Sequence, residues 1–293
     1  MNPIQHLVVI GTGLIGGSVS LALKRAGLVK RVTGVGRSRE NLELAEQLGV
    51  VNDWTHDVAE AVSDADMVLL SVPMNAYESL FAAMADHLPA ECVVTDAGST
   101  KQSAVAAAKK FLPYPERFIA AHPIAGTEQS GAAAAFAELF DQRLCIITPE
   151  ADSDADALVL VKQMWESTGS SIEVMDAAQH DEFLASVSHL PHLAAFALVN
   201  AVAKQATTEQ DPFHFAAGGF RDFTRIASSS PEMWRDISLC NRVALLHQIE
   251  LFQAELDGMR DALKANDEDR LLNEFSAARD ARENWLAGHG EDL

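Results

Sequence analysis

Leu7-Val8-Val9-Ile10-Gly11-Thr12-Gly13-Leu14-Ile15-Gly16-Gly17-Ser18 is the stretch on which the fold turns. An apolar run ends in a cluster of glycines, from which a helical pattern continues towards Ala26. Glycines at such a junction permit a tight turn and let a pyrophosphate approach the backbone, where its charge faces a helix N-terminus. A lone G-x-G-x-x-G also serves as a plain strand-to-helix turn; its place after the first strand of an alternating chain gives it weight. Gly11, Gly13, Leu14, Ile15 and Gly16 are therefore the expected dinucleotide contacts.

Outward from this turn, short β-branched runs alternate with Ala-rich helical segments as far as Met175, the pattern of a parallel sheet covered on both faces. Strands are expected at 6–10, 31–35, 67–72, 92–95, 118–121, 144–148 and 171–174. Beyond Asp176 no clear strand is seen, and helical periodicity runs through 178–204, 231–264 and 267–286. The fold class is accordingly an α/β Rossmann-type doubly wound parallel sheet followed by an all-α dimerisation domain. Its expected domains are 1–175 for the dinucleotide and 176–293 for substrate and dimerisation. Leu239, Val243, Leu246, Ile249, Leu256, Met259 and Leu263 give the second part more apolar surface than a solvated helix carries, which a second subunit would cover.

The composition agrees with this division. At ~150 residues per domain, 293 residues make about two. Apolar residues are 48% and charged ones 22%, the usage of a folded globular chain. A net charge of −20 repels phosphate backbones and anionic membranes, so neither a nucleic acid nor a membrane is an expected partner. Cys92, Cys145 and Cys240 form neither a disulfide framework nor a zinc motif, which fits a cytoplasmic setting. No signal sequence is expected at 1–10. The uncharged stretch from Phe183 to Ala203 can span a bilayer by length, yet it holds Pro191, two histidines, two serines and Asn200, so a helix buried inside the protein is expected.

At the end of the second strand, where NAD enzymes place an acid for the ribose 2′-hydroxyl, this chain reads Gly34-Val35-Gly36-Arg37-Ser38-Arg39. Without that carboxylate, and with Arg37 and Ser38 at hand, a 2′-phosphate is accommodated, so NADP is favoured over NAD. A solvated turn is the plain alternative for Arg37 and Arg39. Ser71 and Pro73, at and just after the 67–72 strand, complete the expected cofactor contacts.

Two further motifs, Asp96-Ala97-Gly98-Ser99-Thr100-Lys101 and Ala121-His122-Pro123-Ile124-Ala125-Gly126-Thr127-Glu128, lie at carboxyl ends of strands, where open α/β sheets bind ligands. A serine placed like Ser99 most often caps the next helix. His122 suits general-base work. In Ser188-His189-Leu190-Pro191-His192 the two histidines share a helical face, but no carboxylate or cysteine accompanies them, and no metal is expected. In Gly218-Gly219-Phe220-Arg221-Asp222-Phe223-Thr224-Arg225 two arginines four apart suggest a carboxylate or phosphate site, against a surface ion-pair network.

In this order, Gly11 to Ser18, His122 to Gly131, Ser188 to His192 and Gly218 to Ala227 resemble the prephenate and arogenate (cyclohexadienyl) dehydrogenase family over essentially the whole chain. The resemblance implies an oxidative decarboxylation in tyrosine biosynthesis. Hydride leaves the ring carbon bearing the 4-hydroxyl, and the ring carboxylate departs as CO2. It further implies that His122 accepts the hydroxyl proton and that Ser99 orients both. His192 and Arg225 are the implied substrate contacts, with Thr127 and Arg221 beside them and Glu128 pairing with the arginine. The chain resembles members without a C-terminal regulatory module. A hydroxyacid dehydrogenase of the 6-phosphogluconate type would need a lysine on the interdomain helix, and none stands between Lys162 and Lys204. A non-catalytic NADP-binding redox sensor is the alternative of another class.

Overall fold

The computed structural model describes residues 3–127 and 129–289. It comprises two compact units, Met1–Ala244 and Leu245–Leu293. In the first, β1 (Ile4–Ile10), α1 (Leu14–Arg25), β2 (Val29–Val35), α2 (Arg39–Gln47), β3 (Asp53–Thr55) and α3 (Val58–Val62) are followed by β4 (Met67–Leu70), α4 (Tyr77–Met84), β5 (Val93–Asp96) and α5 (Gln102–Phe111). Then come β6 (Phe118–Pro123), β7 (Leu144–Thr148), α6 (Ala155–Ser167) and β8 (Ser171–Val174). Among the described residues one eight-stranded sheet forms, in the order β3-β2-β1-β4-β5-β6-β7-β8.

Alternation within β1 shows why this sheet is doubly covered. Leu7 and Val9 join one core with Val19 and Leu23 of α1 and Val161 and Trp165 of α6. Val8 and Ile10 face the other, with Tyr77 and Phe81 of α4 and Ala104 and Ala108 of α5. Strands buried on both faces must be apolar throughout, as Val8-Val9-Ile10 and Met67-Val68-Leu69-Leu70 are.

Two departures from the sequence expectation concern the sheet. β3, three residues long and paired to β2 through Thr33, Gly34 and Val35, is too short to show a period. β7 runs antiparallel to β6, with β8 parallel to β7. The cause is the connection from 124 to 143, whose described residues contain a single 3₁₀ turn and no crossover helix, so the chain returns beside β6 in the opposite sense.

After β8 come α7 (Ala177–Leu184), a π-helical turn (Ala185–His189), α8 (Leu190–Ala203), α9 (Gly218–Thr224), α10 (Pro231–Cys240) and α11 (Arg242–Ala265). The helical run expected over 231–264 is broken at Asn241. Its side chain donates to the Asp181 carbonyl at 2.6 Å and lies 3.1 Å from His189 Nδ1. Residues 177–244 pack with the sheet unit, so the packing boundary at 244/245 lies well beyond the point where strands cease.

The helix expected to be buried is not buried by its own chain. Ala177–Ala203 is long and apolar enough to cross a membrane, and 22% of its most apolar window is covered. Phe183, Val187 and Leu198 stand exposed along it. The second unit continues α11 into α12 (Glu268–His289) through Asn266, which adopts φ 54° and ends the helix, and Asp267, whose carboxylate accepts from Arg270 N. Here too Leu246, Leu256, Leu272 and Phe275 are exposed.

Candidate active site

The glycine turn is built as a cradle. Gly11 has φ 99°, and a side chain there would strike the Ser71 carbonyl. A Cβ on Gly16 would strike the Gly11 carbonyl and the Val9 side chain. Both glycines are thus required by the close approach of β1, β4 and α1. Gly13, by contrast, has open space where a Cβ would be, and no side chain caps α1. An uncapped twelve-residue helix with open space at its N-cap position, Gly13, fits a dinucleotide pyrophosphate, held by backbone N–H groups. Leu14 and Ile15 lie in the first turn of α1, Ser71 donates its N–H to the Ile10 carbonyl, and Pro73 follows on the surface.

Beyond β2, Ser38 caps α2 by accepting from Asn41 N and donates to Glu40. Arg39 is engaged by Glu43 at 2.7 Å and lies over Trp54. Arg37 is exposed and has no ion-pair partner among the described residues. A Cβ at Gly36 would make ordinary contact with Leu42.

His122 lies near the end of β6, paired across to Ile146 of β7, while the β5 ladder ends at Thr95 and Ile119. Its ring therefore stands past the carboxyl end of β5. His122 Nδ1 is 2.9 Å from His180 Nε2 of α7, and His180 Nδ1 is 2.8 Å from Asp181 Oδ1. Asp181 also accepts from the backbone N–H of Lys101 at 2.7 Å and of Gln102 at 3.0 Å. The N-terminus of α5 is thus capped from α7, and Ser99, half-buried just before it, is not the cap. Burial, then the neighbouring His180, Lys101 and His189, hold the His122 imidazole well below the ordinary histidine range. Burial lowers His180 as well, against the opposing pull of Asp181.

Beneath the histidine lies a buried ion pair. Lys101 and Asp96 both have side chains 0% exposed, with Nζ 2.5 Å from Asp96 Oδ2 and 2.7 Å from the Ala121 carbonyl. Asp96 accepts further from Tyr77 OH, Gly98 N and Ala121 N, so its lone pairs are well used. This network ties β5, β6, α4 and α5 directly below His122.

His189 and His192 come to Trp234 of α10. His192 stacks on the indole with ring centroids 3.6 Å apart, and its Nδ1 donates to the Ser188 carbonyl, leaving Nε2 bare. His189 is buried against Asn241, and its Nε2 and the Trp234 Nε1 are buried without a hydrogen-bond partner among the described residues. Burial lowers His192, and the Arg225 charge lowers it further, which puts that guanidinium in its neighbourhood. Arg225 closes α9 where the chain passes into a 3₁₀ turn. Arg221 turns to Asp222 at 3.3 Å, both largely exposed. Thr127 is exposed and accepts from Gln129 N. Glu128 lies outside the described residues.

Sequence reading missed His180, Asp181, Asn241 and Trp234 altogether and gave Lys101, the last residue of the motif after β5, no role of its own. His180 and Asp181 follow the capping Asp176 inside α7, and nothing local marks them as neighbours of a residue 58 positions away. The one available signal was a lysine and an aspartate, Lys101 and Asp96, in an otherwise uncharged strand-to-helix segment, since buried charges are retained in pairs.

Comparison with known proteins adds independent findings. A family model described as the prephenate dehydrogenase nucleotide-binding domain matches residues 19–174, and one described as the prephenate dehydrogenase dimerization domain matches 176–277. The chain is 38% identical over 283 residues to the cyclohexadienyl dehydrogenase of Zymomonas mobilis, covering 96% of each. It is 35% identical to the prephenate dehydrogenase of Bacillus subtilis, over 97% of this chain and 77% of that one. It superposes with a TM-score of 0.91, at 34% identity and over 96% and 98% of the two chains, on prephenate dehydrogenase from A. aeolicus crystallised with hydroxyphenyl propionate and NAD+.

Proposed function

The chain belongs to the prephenate dehydrogenase family, and from that premise we propose that it oxidatively decarboxylates prephenate or arogenate in the formation of tyrosine. NAD(P)+, when bound, takes the hydride from the ring carbon bearing the 4-hydroxyl. The supporting observation is that the glycine cradle after β1 and His122 at the end of β6 both stand at the carboxyl edge of the parallel strands. His122, kept neutral by burial, takes the hydroxyl proton as the carbonyl forms. Loss of CO2 then aromatises the ring, and the same proton returns to the phenolic oxygen, so the residue ends as it began. Ser99 orients the hydroxyl, while His192 and Arg225 hold a substrate carboxylate, with Thr127, Glu128 and Arg221 around them.

NADP is the preferred cofactor in this reading. It is supported by the missing carboxylate at Gly36 and by Arg37, which has no ion-pair partner among the described residues. Residues 1–175 serve the cofactor and 176–293 the substrate and a second copy of the chain. The open apolar surfaces of α7, α8 and α11 support such a homodimer. Three free cysteines accord with a cytoplasmic enzyme.

The deciding experiment is turnover of prephenate and of arogenate with each cofactor, together with His122→Asn. The variant should lose ~10²–10⁴-fold in kcat while KM moves little. Near-normal kcat in His122→Asn removes the base assignment, and absence of turnover on both substrates removes the reaction.

A further inference from the structure

Asp181 is acceptor-only when ionised. It accepts from the backbone N–H groups of Lys101 and Gln102 and from the Gln102 side-chain amide at 3.4 Å, and its remaining contact, 2.8 Å away, is His180 Nδ1, which must therefore carry a hydrogen. Burial keeps His180 neutral near pH 7, so its second nitrogen, Nε2, is bare. That bare nitrogen faces His122 Nδ1 at 2.9 Å, and a hydrogen bond between them requires the hydrogen on His122 Nδ1. The remaining nitrogen of His122, Nε2, is then left with a free lone pair.

We propose that His180 and Asp181 are positioning residues that fix the tautomer of His122, so that Nε2 is the proton-accepting atom and Nδ1–H is committed to the chain His122–His180–Asp181. The proposal rests on His122 being the base. No bond is broken along the chain in the resting enzyme. When His122 takes the hydroxyl proton at Nε2, its Nδ1–H strengthens as a charge-assisted donor to His180, and the Asp181 carboxylate stabilises that polarisation through His180 Nδ1–H.

The polarity is also vulnerable to acid. A protonated His180 would present Nε2–H to His122 Nδ1, forcing the hydrogen of neutral His122 to Nε2 and removing the lone pair. The charged and titratable groups acting on the two rings are Lys101, His189, Asp96 and Asp181. Lys101 opposes His180 protonation, and Asp181 and Asp96 favour it. Asp181 meanwhile accepts from the backbone of Lys101 and Gln102 at the start of α5 and, through its own carbonyl, from Asn241. The relay is thus anchored both at the start of α5 and by Asn241.

The test combines kinetics with a spectroscopic readout. In ¹⁵N-labelled wild-type protein, long-range ¹H–¹⁵N spectra should show His122 as the Nδ1–H tautomer at pH 7.5, assigned by its loss in His122→Asn. An Nε2–H tautomer would overturn the proposal without any variant of the relay. His180→Leu removes the acceptor and should lower kcat by roughly 10²-fold with KM changed less than about threefold. His180→Gln, whose amide can accept from His122 and donate to Asp181, should recover most of that loss. A His180→Leu enzyme with near-normal kcat, alongside an inactive His122→Asn, would overturn the relay and leave His122 as base. Activity retained in His122→Asn would instead overturn the reading on which the relay rests.

Discussion

Gly36 and Arg37 set out the cofactor question at the scale of single residues. Where a carboxylate would receive a ribose 2′-hydroxyl there is a hydrogen atom, and the next side chain is a guanidinium without an ion-pair partner among the described residues. Its neighbours are spoken for, Ser38 by the α2 cap and Arg39 by Glu43. Arg37→Ala should therefore raise KM for NADP by about tenfold, the loss of one ~1.4 kcal/mol interaction, and leave KM for NAD nearly unchanged. Initial rates with both cofactors measure this, and equal or better use of NAD by the wild type would exclude the preference. Both residues were readable in the sequence because a Rossmann turn keeps its cofactor contacts within a few residues of the strand ends. His180 was not, because its partner lies on another element.

At the scale of elements, the buried Lys101–Asp96 pair joins α5 to β5 and, through the Ala121 carbonyl, to the strand that bears His122. Removing one member of a buried pair leaves an uncompensated charge, at a cost of about 3–5 kcal/mol. Lys101→Met should lower unfolding stability by that order, and the double variant Lys101→Met with Asp96→Asn should recover part of it, since no net charge is then left buried. Urea unfolding of the two variants beside the wild type checks this; equal losses in the single and the double would show that Asp96 matters for its hydrogen bonds rather than its charge. The elements themselves were largely legible, because an apolar run of four to seven residues bounded by glycine or proline signals a strand. The sense of β7 was not, since it depends on what the chain between 124 and 143 does in space.

Two expectations belong to the molecule as a whole. Burial pushes His189 down to about 4, and His122 and His180 are lowered for the same reason. The unfolded chain binds these protons first, near the ordinary value of about 6.5, so stability is complete above that pH and declines as pH falls from about 6.5 towards 4. His189 alone contributes roughly 3 kcal/mol to this loss, at 1.36 kcal/mol per unit. Urea midpoints at pH 7.5 and 5 should differ accordingly, and His189→Gln should flatten the slope; a pH-independent midpoint in the wild type would refute it. The second expectation is a dimer. Leu246 and Leu256 are about half exposed in the isolated chain, and Leu246→Asp with Leu256→Asp should shift the mass measured by sedimentation from dimer to monomer. A wild-type monomer at micromolar concentration would remove the proposal.

By itself the sequence determined the alternating sheet, the cradle after β1 and the helical remainder, and it singled out His122, His192 and Arg225 as candidates, because each is written in periodicity or in a motif a few residues long. Only the tertiary structure decided that Arg221 turns away to Asp222, that Asn241 breaks a long helix, and that the apolar helix after β8 lies open in one chain. It alone joined His122 to His180 and Asp181. The reason is that hydrogen bonds and ion pairs act over about 3 Å, whereas the sequence separations they bridge here, 58 and 80 residues, leave no local trace.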